Sequence, residues 1–556
     1  MKGLKTKASF IFVFVAIGLI FAPVVSGQSA EKKVVKMTSA PNRNALPFLT
    51  GKTDEQKAEI LSMMSGPAML RLAKIHGITT ICGKNIEEKF SADKTEPNRM
   101  NFADNPVAIN PTLHENEPSI AVRPSNGNIV VAACHNYPIN GVVEIGTYTS
   151  LDKGMTWSGP HYLPKRFSTD TLSDPVVRYA PNSAYVYACY MSIRFNGADA
   201  DIMVTRSTNN GMTWAAPKVA IPGGDWNSDG LVDFPDKPWL GVHPFPDSTA
   251  ANPMVYVTCS LFMSNGAKRI VFVRSSTAAS SFTNLTYMYY GDNRLLQGSR
   301  PVGGRGGEVL ISFYSASNDG WGASPNGGGY FDIEVVKLNS YGSTLSGFSW
   351  AEAVYHQPYE LPYYLGPLDG SNLAYYHRWW GGMFPSVAIT PSGVLYIAFA
   401  ADPVSGQSQT NDEDGDIFMV KSPRPYTSWG YVSPNFGYFG YGSDRADGYP
   451  TIGVKKTANG AIVALAWEYH GNSLYDNELY DIMAVYNGPT GWKGYFQLTD
   501  VSSLSDYSFI GDYIDCGVSA NVTDKVFNII WTDRSDKLYT NDLEDDVYED
   551  ILEVIY

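Results

Sequence analysis

Ser150–Trp157 reads S-L-D-K-G-M-T-W, and 57 residues later Ser207–Trp214 reads S-T-N-N-G-M-T-W. An octapeptide returning at that interval restricts the chain to a repeat architecture, a propeller or a solenoid. Its letters divide the work of a turn. Asp or Asn folds back on nearby backbone N–H groups, Gly supplies a position with φ > 0, and Trp anchors the turn in apolar packing. Each copy follows a short strand-like run and so reads as a hairpin turn.

Around these turns a three-strand unit repeats from about residue 105. First strands begin near Glu117-Pro118, Asp174-Pro175, Lys237-Pro238, Arg300-Pro301, Phe384-Pro385, Tyr449-Pro450 and, without proline, Asp512-Tyr513. Second strands read NIVVAACH, AYVYACY, MVYVTCS, EVLISFY, VLYIAFA, IVALAWE and VFNIIWT. Third strands run from VEIGTYT to DILEVIY, and weaker copies of the turn end at Phe282, Trp350, Trp429 and Trp492. Six units are followed by a fourth strand and the seventh is not. Pro106–Asn110 can supply the missing outer strand, which joins both ends of the chain in one sheet and removes open edges. The expectation is an all-β, seven-bladed β-propeller closed by an N-terminal strand, with six blades plus an extra sheet as the alternative. The 52 glycines and 34 prolines suit that many turns.

Three segments are expected: residues 1–30, 31–104 and the propeller over 105–556. The first has Lys2, Lys5 and Lys7, an apolar run from Phe10 to Val25 and small residues after it, which is the pattern of a secretory signal. An uncleaved membrane anchor is the alternative, and no other stretch is long and apolar enough to span a bilayer. Residues 31–52 are polar. Thr53-Asp54-Glu55-Gln56 resembles a capping box that opens a helix, and a second helical stretch runs to Gly77. The formal charge of −14 leaves no basic tract to neutralise phosphates, which argues against nucleic acid. Cys134, Cys189 and Cys259 fall at one place in three successive units and read as buried small hydrophobes, so a disulfide framework is not expected.

The octapeptides resemble the Asp-box (BNR) repeats of secreted sialidase-like propellers, and EPSIAV, DKPWLGV, GDYIDCGV and WTDR are similar to phrases in that family. The resemblance covers roughly 105–556 and implies an extracellular monomer whose partner is an extracellular glycan or cell-surface glycoprotein, bound on the face away from the Asp-boxes. It also implies retaining chemistry, with a Tyr nucleophile helped by Glu, an Asp acid/base and three arginines on a substrate carboxylate. Arg300, Arg378 and Arg534 are candidates for the clamp, and Glu468 with Tyr513 for the nucleophilic pair. The family's R-I-P motif is absent, since the matching region reads N-P-V-A-I-N-P-T-L.

Three groups of residues are expected on the ligand face. Glu117, Asp174, Asp236, Lys237, Arg300 and Asp512 with Tyr513 open the innermost strands and should converge on the axis. His135, Tyr190, Ser260, Tyr314, Ala400, Glu468 and Thr532 follow the second strands and include types suited to proton transfer or attack. Residues 355–380, with Tyr376, His377, Arg378, Trp379 and Trp380, and residues 426–449, with Tyr426 and Tyr449, are dense enough in rings to stack against sugar C–H faces.

Asp225–Asp236, D-W-N-S-D-G-L-V-D-F-P-D, has the spacing of a Ca²⁺ loop. Its expected ligands are Asp225, Asn227, Asp229, the Leu231 carbonyl, Asp233 and Asp236, with Gly230 at the sharp turn. Zinc and nucleotide motifs are absent. Three functions stay open: a sialidase-like glycan-processing enzyme, a non-catalytic binding or adhesion propeller, and a polysaccharide lyase using His135, Tyr190 and Arg206.

Overall fold

In the computed structural model, the residues described are 53, 57, 80–81, 84–85, 105–108, 113–138, 142–181, 183–194, 199–243, 253–291, 295–317, 330–343, 351–352, 384–401, 416–432, 438–439, 446–457, 460–470, 479–488, 491–499, 503–504, 511, 513–519, 526–533 and 546–553. The expected signal segment, the polar stretch 31–52 and the aromatic residues 355–380 lie outside them, as do Asp512 and Arg534. Of the expected first helix only Thr53 and Lys57 are described, and the Lys57 N–H donates to the Thr53 carbonyl.

Seven antiparallel sheets stand around an axis. Blade 1 comprises Leu113–Val122, Val130–Pro138, Glu144–Ser150 and Ser158–Tyr162. Blade 2 comprises Thr171–Tyr179, Val186–Ile193, Ala200–Ser207 and Lys218–Ile221. Blade 3 comprises Phe234–Val242, Val255–Phe262, Lys268–Ser275 and Thr286–Gly291. Blade 4 comprises Leu295–Gly303, Val309–Ser317, Tyr330–Leu338 and Ala351–Glu352. Blades 5 and 6 begin with Ser386–Ile389 and Ala446–Thr457. Blade 7 comprises Asp515–Val518, Val526–Asp533, Asp546–Glu553 and, as its outer strand, Asn105–Ala108. Each innermost strand touches the next, and Asp515–Val518 touches Leu113–Val122, so the ring is closed. The second strands are buried on both faces because each is packed between two neighbouring blades, which is why they read as unbroken apolar runs.

The octapeptides form one recurring turn. In blade 1, Ser150 Oγ donates to Asp152 Oδ1 (2.7 Å) and accepts the Gly154 N–H (2.8 Å), while Asp152 accepts the Thr156 N–H (2.9 Å). Blade 2 repeats this with Ser207, Asn209, Gly211 and Thr213. Blade 3 keeps it without Asp or Gly, through Ser275, Thr277, Ala279 and Ser281. Two successive positive φ angles recur as well: Lys153 and Gly154 (72° and 98°), Asn210 and Gly211 (60° and 82°), Ala278 and Ala279 (52° and 62°).

The first two turns lean on the preceding blade. Thr147 Oγ1 donates to the Gly211 carbonyl at 3.1 Å, and Trp214 Nε1 donates to Thr147 Oγ1 at 3.0 Å. At the join between blades 7 and 1, register places Glu549 where blade 1 has Thr147. Asn528 Nδ2 donates to Glu549 Oε1 (2.5 Å) and to the Lys153 carbonyl (3.1 Å). Gly154 is bare there of necessity, because a Cβ on it would lie 2.2 Å from Glu549 Oε2.

Candidate functional site at the propeller axis

A proline in an innermost strand has no N–H for the ladder, and the pairing skips around it. The skips take out Glu117-Pro118, Asp174-Pro175, Lys237-Pro238 and Tyr449-Pro450. The residue before each proline has φ of 53°, 52°, 49° and 51° respectively. Left-handed backbone in a non-glycine residue is strained, and a ring of four such residues marks where the fold holds side chains against their local preference.

Register also corrects two parts of the expected repeat. In blade 4 the skip falls at Gly298-Ser299, so Gly298, not Arg300, is the counterpart of Glu117. The ring is therefore Glu117, Asp174, Lys237, Gly298, Phe384, Tyr449 and Tyr513. Arg300 belongs to a second set, two residues further along, with Ser119, Val176, Trp239, Ser386, Thr451 and Asp515. In blade 2, Val176 faces Cys189 and Ser173 faces Met191, whereas in blade 1 Ser119 faces Ala133 and Asn116 faces His135. Cys189 thus stands one place earlier than Cys134 and Cys259, and Met191 rather than Tyr190 is the counterpart of His135. Cys134, Cys189, Cys259 and Cys516 are free thiols.

Side chains from six blades meet at the axis. The Tyr513 hydroxyl donates to Asp174 Oδ1 at 3.3 Å, and Ser173 Oγ donates to Asp174 Oδ2 at 2.8 Å. The Tyr513 ring lies 5.5 Å from Trp239 and 6.3 Å from Phe384. Lys237 Nζ stands over the Phe384 and Tyr513 rings at 5.5 and 5.6 Å. Arg300 is stacked on Trp239 at 3.7 Å, and Arg178 stands over the same ring at 5.3 Å while making a two-point pair with Asp515 (2.7 and 3.2 Å). Tyr513 is 7% exposed and Asp174 0%, so the axis is filled by side chains.

His135 serves this centre as a support. Its Nε2 accepts the Asp174 N–H at 2.8 Å, and a main-chain N–H can only donate. The ring proton therefore resides on Nδ1, which lies 3.0 Å from Asn116 Oδ1 and 3.3 Å from Glu117 Oε2. Burial, and then the nearby Lys237 charge, pull the imidazole down to about 3. A neutral His135 with both nitrogens engaged fixes Asp174 and Glu117 rather than carrying protons.

The other expected site residues are dispersed. Tyr190 donates to the Pro164 carbonyl at 2.6 Å in the layer between blades 1 and 2. Arg206 donates to the Ala278 carbonyl at the octapeptide end of its strand, so the lyase set His135, Tyr190 and Arg206 is not assembled. Glu468 is buried opposite Gly448, at the blade 6 counterpart of His135. Tyr449 is a ring residue, not part of a loop wall. Tyr426 is buried in the turn after Asp416–Ser422, on the octapeptide face rather than the opposite one. Arg178, Trp239 and Asp515 were not singled out from the sequence, although Trp239 and Asp515 each stand two residues after a ring position, and Phe384 was placed only as the opening of a first strand.

In the acidic loop the carboxylates bind the loop's own amides. Asp225 accepts from the N–H groups of Asp229 (3.0 Å) and Gly230 (2.8 Å), and Asp233 from those of Trp226 (2.8 Å) and Ser264 (2.7 Å). Asp229 accepts from Asn227, Leu231 and Ser264. Burial raises Asp233 to about 6. Asp236 lies in the innermost strand opposite Ser260, beside the ring rather than in the loop. Among the described residues no three His, Cys, Asp or Glu side chains are grouped as a metal site.

No family model matches the chain, and no curated protein matches it. Solved structures with a similar trace include an α-L-arabinanase of Penicillium chrysogenum complexed with arabinobiose (12% identity, 69% of this chain and 98% of that one, TM-score 0.41). A Hadza microbial sialidase is similar at 13% identity over 74% of each chain, with a TM-score of 0.41. An ulvan lyase of a polysaccharide lyase family is similar at 10% identity over 81% of this chain and 95% of that one, again at 0.41. Likeness at this depth carries no argument about chemistry, and the seven-bladed fold rests on the strand pairing above.

Proposed function

We propose that the chain is a secreted Asp-box propeller that processes extracellular glycans at its axis, with Tyr513 as the attacking group and Asp174 as the acceptor of its proton. The observation that carries this reading is the hydrogen bond from the Tyr513 hydroxyl to Asp174, whose backbone is strained at φ 52° and braced by His135. The Tyr513 oxygen bonds to the anomeric carbon as the glycosidic C–O bond breaks, Asp174 takes the phenol proton and passes it to the leaving oxygen, and water then releases the sugar. Lys237 above the Tyr513 ring favours the phenolate that forms. Here Asp174, not Glu468, takes the role of the assisting carboxylate. The test is release of reducing sugar or a fluorogenic aglycone from a glycoside panel by the full chain. Tyr513→Phe and Asp174→Asn should each lower turnover at least ~100-fold. Activity that survives Tyr513→Phe overturns the assignment.

The filled axis favours a second reading, a non-catalytic glycan binder. On a glycan array a binder retains ligand, forms no product, and is indifferent to Tyr513→Phe. Ca²⁺ at Asp225–Asp233 is proposed on the sequence spacing. Melts with and without chelator test it, and identical midpoints reject it. Closure of the ring by Asn105–Ala108 in solution is proposed from its antiparallel pairing with Asp546–Glu553. Hydrogen exchange tests it, with slow exchange expected in both strands.

A further inference from the structure

Below the Tyr513 centre, Arg300 makes no ion pair among the described residues, and its cation rests on the Trp239 ring. It is 5% exposed, and among the described residues its one hydrogen bond is Nη1 to Ser386 Oγ at 3.4 Å. Its Nε is buried and has no hydrogen-bond partner among the described residues. The charged groups acting on it are Asp515 and Arg178, which oppose each other, with the Tyr513 hydroxyl as third ionisable neighbour. Asp515 is already committed. Its carboxylate accepts from Ser119 Oγ (2.8 Å), the Ile120 N–H (3.0 Å), the Cys516 N–H (3.0 Å) and both Nη atoms of Arg178. A buried cation left in that state is strongly unfavourable.

Unused donors surround it. Ser312 is the direct register partner of Arg300, so the two side chains share one face of blade 4. That face looks at blade 5, since Leu310 and Tyr314 on either side pack with Leu395, Ile397 and Phe399. Ser312 Oγ is buried and has no hydrogen-bond partner among the described residues. Ser386 Oγ accepts from Arg300 and from the Ile452 N–H (3.2 Å), which leaves its own proton to give. A guanidinium and two hydroxyls therefore face one seam in which, among the described residues, the guanidinium has only the long bond to Ser386 Oγ and the hydroxyls have no acceptor. We propose that Arg300, Ser312 and Ser386 hold a small monovalent inorganic anion of the halide class between blades 4 and 5, which ties the two blades together at the axis. The walls favour a small ion, because Trp239, Tyr513 and Ser386 are 6%, 7% and 2% exposed. The proposal stands apart from the glycan reading, which is decided by Tyr513 and a sugar assay.

The test is the thermal midpoint of the full chain, dialysed into gluconate buffer and titrated with sodium chloride at constant pH and ionic strength. A saturable rise of several degrees is expected, reproduced by bromide and not by further gluconate. Arg300→Met should abolish the response. Ser312→Ala, which removes a single oxygen, should shift its midpoint about tenfold to higher chloride. An identical melt in chloride and gluconate overturns the proposal, as does a response unchanged in Ser312→Ala. A rise given by glucuronate but not chloride also overturns it and assigns Arg300 to an acidic sugar.

Discussion

Glu549 offers a quantitative test of how the ring is joined. Burial, and then the Asp550 charge, raise its carboxyl from the ordinary 4.5 to about 8, against a lowering contribution from the Asn528 amide. In the folded chain it is protonated at neutral pH, whereas in the unfolded chain it is ionised. The folded state then binds the extra proton, so the contribution of Glu549 is complete below about pH 4.5 and is lost as pH rises through about 8. A displacement of that size is worth on the order of 5 kcal/mol in full. Near pH 7 the slope is about 1.4 kcal/mol per pH unit, and roughly 1.5–2 kcal/mol is lost between pH 6.5 and 8. Above about pH 7 that window is nearly clear of the other displaced groups on the page: Asp233 titrates between its ordinary value and about 6, and His135, held down near 3, costs stability as pH falls through its ordinary 6.5. The perturbation is Glu549→Gln, which keeps an acceptor for Asn528 and puts an amide where the acid proton was. Urea unfolding at half-unit steps from pH 6.5 to 8.5 is the assay. Wild type should weaken with pH, and the variant should lose about 1.4 kcal/mol per unit of that slope. Parallel curves would refute both the protonated Glu549 and its role at the seam between blades 7 and 1.

Three further outcomes are expected. Gly298→Ala places a Cβ 2.6 Å from the Phe384 ring at a φ of 65°, so it should lower stability by about 2 kcal/mol in urea melts. Ser207→Ala removes the hydroxyl shared by Asn209 and Gly211 and should cost about 1–2 kcal/mol, adding to an equal loss from Ser275→Ala in the next blade. Asp515→Asn leaves Arg178 without its pair and should cost about 3 kcal/mol, read by denaturant midpoint.

The turns and the blades were legible in sequence because their signals are local. A Ser hydroxyl, an Asx side chain and a positive φ act within eight residues, and proline marks four of the skips from inside its own strand. The register between strands was not legible. The second strand of blade 2 is buried on both faces, so no alternation of polar and apolar residues distinguishes Tyr190 from Met191, and the shared letters A-C drew the repeat one place too far. Arg300-Pro301 misled similarly: its proline copies the look of a ring position, whereas the skip it seemed to mark is made by Gly298 two residues earlier. Tyr513 and Asp174 were both placed on the ring from sequence. Their pairing across the axis was not visible, because residues 339 apart in the chain meet only when the circle is complete. In the acidic loop, oxygen spacing was legible, but the amides that its carboxylates accept from, those of Trp226, Asp229, Gly230 and Ser264, were not.

The chain carries an internal control in its left-handed ring residues. Blade 4 fills that place with glycine, the residue for which the conformation is free, and its strand still pairs on both sides of the skip. Glu117, Asp174, Lys237 and Tyr449 occupy the same backbone shape at a cost glycine would remove. Whatever keeps them there acts on the side chain and not on the scaffold. Replacing them one at a time with glycine would therefore separate what the propeller needs in order to stand from what it needs in order to work.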